Sequence, residues 1–386
     1  MEYIKYLLSP VYGYSICIYT ALFFIVTYLA FISQKKEENT PEEAKRKLLY
    51  FSLSFILVWF FYVFNNTGTD LPVYINIYDS SQLDPQWINA NGLEKGYRVI
   101  NALLHLVIKD PYIGIGLLKT VQITLVYICI YIMRDKINLG YSIMGYMALF
   151  YFQSFNLIRL SLAGSICLLS FVLVYNKKYL LSIIIGIAAA TIHTTAVIFL
   201  FAVLFYAFYN TFKMYKTLWL MNLLLVIPII IVFGRRIIIS ILMNSNFIER
   251  YNSYTEDTGS IGVMQIIFYL PAFIMFFIIS RAGFKENERI TDLCYILTLF
   301  GFAVAMLGYS IGLFARMSFY FAQTFIVFMP YYIQNRSEII RNRTFRMLSP
   351  GTFSGVITFY WIFRFVTTIS GLFIPSGLSE YKLVFK

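Results

Sequence analysis

The sequence predicts an all-α, multi-pass membrane protein with about twelve transmembrane helices. Three observations carry that expectation. Of 386 residues, 59% are hydrophobic, which is apolar material for about eleven spans at roughly 20 residues each. Only 13% are charged, half of the roughly 25% usual in soluble domains, and the mean hydropathy is +0.71. The charges also fall between apolar runs instead of recurring along them. The formal charge of +12 therefore does not describe a nucleic-acid face, which needs cations clustered on one water-facing surface.

The apolar runs, in order, cover about 12–33, 48–64, 112–133, 139–154, 158–175, 179–192, 195–211, 217–234, 263–281, 290–308, 316–333 and 351–373. The first is long enough to span and to stay, and it lacks the charged start and small-residue cleavage site of a signal peptide. Cys17, Cys129, Cys167 and Cys294 all lie inside such runs and read as small buried hydrophobes without a disulfide framework. No internal repeat and no Pro/Gly/Ser linker divides the chain, so residues 1–386 read as one integral membrane domain.

Orientation follows from the cations between the runs, since short cytoplasmic loops retain Lys and Arg. One set of alternating loops holds eighteen Lys and Arg, and the other, with both termini, holds nine. Both termini are expected outside. The two long polar stretches, 65–111 and 235–262, then become extracytoplasmic loops. The first contains an apolar patch from Tyr97 to Ile108, too short to span, which suits an interfacial or re-entrant helix.

Four cations remain within or at the edge of the spans: Lys119, Arg159, Arg316 and Arg364. No carboxylate lies in a span interior. An ionisable group at such depth is costly unless it is paired, hydrated or snorkelling, and cations without an intramembrane anion suit an anionic ligand. Lys119 and Arg364 sit roughly 10 Å below the outer ends of their spans at ~1.5 Å per residue. Arg159 and Arg316 open spans that run inward from the outer face. Segments 139–154 and 179–192 reach only about 21–24 Å of a core near 30 Å. They are expected to stop short, as broken helices lining a cavity that opens outward, with Arg159 and His193 in the turns they reach.

A lipid diphosphate fits such a cationic wall. Guanidinium groups bind phosphate oxygens in bidentate fashion, and the same cations stabilise the charge that develops as a diphosphate departs. Arg98 of the first outer loop joins Arg159, Arg316, Arg364 and Lys119 as a candidate diphosphate ligand. A base for an acceptor hydroxyl could be His193, Asp70 or Glu94. Tyr74, Tyr97 and Trp87 could offer faces to sugar rings. His105 and Asp110 match an H-x-x-x-x-D acyltransferase pattern without its surrounding motifs. With two histidines in the chain and no closely spaced carboxylate pair, no metal-ligand cluster is legible.

Several pieces together resemble the EpsG/Wzy-type bacterial polysaccharide polymerases: Gly68-Thr69-Asp70 followed by Tyr74 and Tyr78; Glu94-Lys95-Gly96-Tyr97; Ile158-Arg159 leading to Ala163; Ile192-His193-Thr194-Thr195-Ala196; and Arg316 followed by Phe319-Tyr320-Phe321. Leu160 stands where the family often has Gln, and the R-x10-G pairs of some O-antigen polymerases are absent. The resemblance implies a GT-C-like, inverting, metal-independent glycosyltransferase without cofactors. It would transfer a glycan from an undecaprenyl diphosphate carrier onto another lipid-linked repeat unit of O-antigen, capsule or exopolysaccharide. Arg159 and Arg316 would hold the donor diphosphate, and His193, Asp70 or Glu94 would act as base or orient the acceptor. Expected partners are the undecaprenyl-diphosphate-linked glycan, membrane lipid and, as a further candidate, a chain-length regulator protein, with no nucleic acid. The rival readings are an O-antigen ligase, a flippase of lipid-linked oligosaccharides, and a membrane O-acyltransferase built around His193.

Overall fold

The computed structural model describes residues 10–34, 40–90, 92–212, 261–282, 288–307, 312–337, 350–372 and 375–384. Within them the chain is helical, with one isolated antiparallel bridge, Asn65 to Leu383. The helices are α1 (Pro10–Ser33), α2 (Pro41–Val63), α3 (Leu71–Asp79), α4 (Pro85–Asn89), α5 (Lys95–Val107), α6 (Pro111–Ile132), α7 (Leu139–Tyr146), α8 (Ile158–Tyr175), α9 (Tyr179–Ile192), α10 (Val197–Phe212), α11 (Ile261–Ala282), α12 (Glu288–Leu307), α13 (Gly312–Ala322), α14 (Phe325–Gln334) and α15 (Pro350–Leu372).

Among the described residues, six helices are long and apolar enough to cross a membrane: those at Gly13–Ser33, Pro41–Val63, Pro111–Ile132, Ile158–Tyr175, Arg289–Leu307 and Gly351–Leu372. Shorter apolar helices cover Tyr179–Ile192, Thr194–Asn210 and Ile267–Ile278. The expected span 217–234 and residues 235–260 of the second long loop lie outside the described residues. The expected span 139–154 is broken: α7 passes into a π-type turn at Met147–Tyr151 and a 3-10 turn at Gln153–Phe155. Such irregular turns bring non-helical backbone to the start of α8. The expected span 316–333 is also not continuous. It divides into α13 and α14 at Gln323–Thr324, where the Thr324 hydroxyl and N–H both donate to the Phe321 carbonyl, a local turn that competes with helix. Of the cysteines, Cys129, Cys167 and Cys294 are buried as expected, whereas Cys17 lies exposed on α1.

The contacts resolve two compact units. The first comprises residues 1–169, 191–193 and 326–386. Here α1 packs on α2 and α7, α2 on α6, and α15 on the π-type turn, while α3 and α5 sit against α6 and against each other. Aromatic residues fill its core and are not confined to interfacial belts: Tyr62 stacks on Phe155 at 5.5 Å, Phe23 stacks on Phe365 at 4.3 Å, and Tyr19 meets Phe152 and Tyr381 edge-on. At one end of this unit the Ser15 hydroxyl donates to Ser379 O (2.8 Å) and Asn66 N–H donates to Lys382 O (2.8 Å). The start of α1, the segment after α2 and the C-terminal segment thus share one end. The other end joins Gln34, Ile137 and Pro330. The second unit comprises residues 170–190 and 194–325; α12 packs on α11, α10 and α13. The hydroxyls of Ser170 and Ser182 bond each other at 2.7 Å, and Arg289 donates to Val174 O and Tyr179.

Asn156, in the break before α8, ties three segments of the first unit together. Its Nδ2 donates to Thr69 Oγ1 and Ser376 O, both at 3.1 Å. The chain passes beneath it through Gly68, whose φ is +124° and whose absent Cβ would lie 2.5 Å from Asn156 Oδ1. Gly92 has a comparable φ of +105° but open space around it. Gly68→Ala therefore carries both backbone strain and a steric clash, and Gly92→Ala only the strain, about 1 kcal/mol for each source. Thermal unfolding in detergent is expected to show a clearly larger loss for Gly68→Ala, and equal losses would exclude the Asn156 contact as a constraint.

Candidate functional site

The site is built where the first long loop folds back onto the start of α8. Glu94 has extended backbone immediately before α5, and its carbonyl accepts from Arg98 N–H at 3.1 Å to begin that helix. Arg159 is the second residue of α8. Its Nη1 donates to Glu94 Oε2 at 2.6 Å; the Glu94 side chain is 5% exposed and that of Arg159 24%. Short, charge-assisted contacts of this kind are strong when little water competes. Arg159 Nε is buried without an acceptor among the described residues.

Two tyrosines complete the surround. Tyr97, three positions after Glu94, places its ring 5.6 Å from the Arg159 guanidinium carbon, a cation–π distance. Tyr74, on the buried side of α3, meets Tyr97 edge-on at 6.4 Å and interacts electrostatically with Arg159. Burial pushes both phenols above the usual tyrosine range, and for Tyr74 the Arg159 charge pulls partly back. Both therefore remain protonated donors near neutral pH. Gly96 permits the close approach of α5 to the end of α9. A Cβ there would lie 2.5 Å from Thr191 Oγ1 and 2.6 Å from Thr191 O, and half-buried His193 follows two residues later.

The expectation that Arg159 lacks an acidic partner is thus overturned. The acid comes from a loop residue at the start of a short helix and not from a span, so a count of carboxylates within apolar runs misses it. Asp70 is exposed at the start of α3 without a side-chain cap, one turn before Tyr74. Arg98 and Lys119 have partners inside the unit. Arg98 Nη1 donates to Trp87 O at 2.5 Å and its guanidinium lies 4.9 Å from the Trp87 ring. Lys119, 1% exposed, donates to Asn65 O at 3.3 Å and lies 5.2 Å from the Tyr62 ring, so it is buried and does not snorkel to headgroups. Arg364 is half-buried on α15, one turn after Tyr360. In the second unit, Arg316 is exposed on α13, one turn before Tyr320, whose hydroxyl meets Thr195 Oγ1 at 2.9 Å.

His105 and Asp110 have separate local duties. His105 Nδ1 pairs with Ser81 O at 2.7 Å, and the Asp110 carboxylate accepts from the N–H groups of Tyr112 and Ile113 to cap α6. Sequence reasoning missed Asn156 and Thr191. The visible signals are an amide three residues before Arg159 and a glycine inside Glu94-Lys95-Gly96-Tyr97.

The long apolar helices and a loop-borne ion pair seated at the start of one of them define a multi-pass membrane protein. The chain belongs to the EpsG family, whose sequence model matches residues 47–383. Searches of curated proteins and of solved structures found no match.

The Arg98–Trp87 contact implies that Arg98 chiefly holds α4 against α5. Arg98→Ala removes a stacking contact and a charged hydrogen bond, together about 2 kcal/mol. Limited proteolysis in detergent is expected to cleave residues 80–94 faster in that variant. Unchanged cleavage would leave Arg98 available for a ligand instead.

Proposed function

We propose that this chain is a polysaccharide polymerase that joins undecaprenyl-diphosphate-linked repeat units at the extracytoplasmic face of the bacterial inner membrane. The observation that carries the proposal is the seating of Glu94 on Arg159 between Tyr74 and Tyr97. In a member of the EpsG family, this puts an anion-binding guanidinium and a carboxylate within one hydrogen bond of each other. Arg159 binds the donor diphosphate, with the protonated Tyr74 and Tyr97 hydroxyls as additional donors. Glu94 serves as the general base, ahead of exposed Asp70, and His193 orients the acceptor.

In the reaction, the acceptor hydroxyl loses its proton to the Glu94 carboxylate. The oxygen attacks the anomeric carbon of the donor from the face opposite the diphosphate, and the bond from that carbon to the phosphate oxygen breaks. Its electron pair leaves with undecaprenyl diphosphate, so the anomeric configuration inverts. Preorganised cations stabilise the departing charge, and general-base assistance contributes about 10²–10⁴-fold. For Arg316 a part in holding the donor diphosphate is supported by the motif resemblance alone. No metal takes part.

The sidedness rests on the cation count, which is supported by the shared end of α1, the 64–70 segment and the C-terminal segment. Purified protein given one lipid-linked repeat unit is expected to make a ladder of lengths, in the presence of a chelator as in its absence. A single addition product would identify a ligase, and complete loss of activity in chelator would demand a metal. Arg159→Ala and Arg316→Ala are each expected to abolish the ladder while the protein still inserts. Arg159→Lys, which keeps charge but loses the planar fork, is expected to retain only residual growth. Full-length polymer from both alanine variants would remove the diphosphate assignment.

A further inference from the structure

The Glu94–Arg159 pair poses a chemical problem for any phosphate-bearing donor. The guanidinium that would receive the phosphate already holds a carboxylate at 2.6 Å, and that carboxylate is almost fully enclosed. A second anion can engage the same Nη1 only by displacing Glu94, because two anions on one donor repel each other at low local dielectric. The surround provides for such an exchange. Arg159 Nε is buried without an acceptor among the described residues, so a phosphate has a second N–H to bind. The guanidinium also lies 5.6 Å from the Tyr97 ring, a contact that does not use the Glu94 carboxylate. Glu94 itself stands on extended backbone before the first turn of α5, where its side chain can turn without disturbing a helix interior.

We infer that Glu94 is a displaceable counter-ion of Arg159: donor diphosphate evicts it, and eviction is what frees the carboxylate to take the acceptor's proton. The inference rests on the proposed reaction and adds an order to it. Before the donor arrives, the base is engaged and the seat is neutralised, so an acceptor alone meets no available base. Once the diphosphate occupies Arg159, the displaced carboxylate lies near the anomeric carbon.

The test separates binding from turnover. Wild-type protein and Glu94→Gln in lipid nanodiscs are titrated with geranylgeranyl diphosphate, a short polyprenyl diphosphate without sugar. Removing the competing charge is expected to tighten binding on the order of tenfold while abolishing the ladder from a lipid-linked repeat unit. Should Glu94→Gln fail to insert, Glu94→Asp retains the charge on a shorter stem, and an intermediate tightening is expected. Equal or weaker binding in the variant would show that Glu94 supports the seat without competing for it, and would overturn the inference. So would absence of diphosphate binding in both proteins. A wild-type ladder without tightening removes the displaceable counter-ion alone, whereas tightening without a wild-type ladder keeps it and removes the polymerase reading.

Discussion

A single ion pair between a loop carboxylate and a guanidinium at the start of a membrane-length helix is the constraint on which the rest of this architecture depends. Charges placed at such a position are costly unless neutralised or ligated, and here the neutralising acid must be carried in from outside the spans. The first long loop does this. Its helix α5 begins directly after Glu94, and Gly96 lets that helix lie against the end of α9 at Thr191. The loop is therefore packed into the unit at the start of α8 and the end of α9.

The surrounding framework reads as support for that placement. Asn156 fixes the break before α8, and with it the position of Arg159, to Thr69 and Ser376. The C-terminal segment reinforces the same region, with Val384 N–H on Phe64 O and Lys382 N–H on Thr67 Oγ1. Lys119 holds the Asn65 carbonyl from below. Three stretches distant in sequence thus converge on the short segment that leads into α3 and Tyr74. Support of this kind fixes the position of the side chains it surrounds.

Much of the fold was legible because apolar run length reports helices directly. The expected runs 12–33, 112–133, 158–175, 179–192 and 351–373 lie within two residues of α1, α6, α8, α9 and α15. The shortness of 139–154 correctly signalled a broken helix, though not its π-type turn. The division at Gln323–Thr324 was invisible because hydropathy continues across it and the cause is a local hydroxyl turn. In the site, the residues of the Glu94-Lys95-Gly96-Tyr97 and Ile158-Arg159 motifs were legible, but their pairing was not: separation by 65 positions leaves no periodic signature. For Arg98 and Lys119 the sequence reveals charge and depth but not the rings and carbonyls beside them.

The most direct measurement is an experimental structure of the full chain in nanodiscs with a short polyprenyl diphosphate bound. The account requires phosphate oxygens within hydrogen-bond distance of the Arg159 guanidinium, and the Glu94 carboxylate swung away from it. A diphosphate bound elsewhere, with the Glu94–Arg159 contact intact, would contradict the account at its centre.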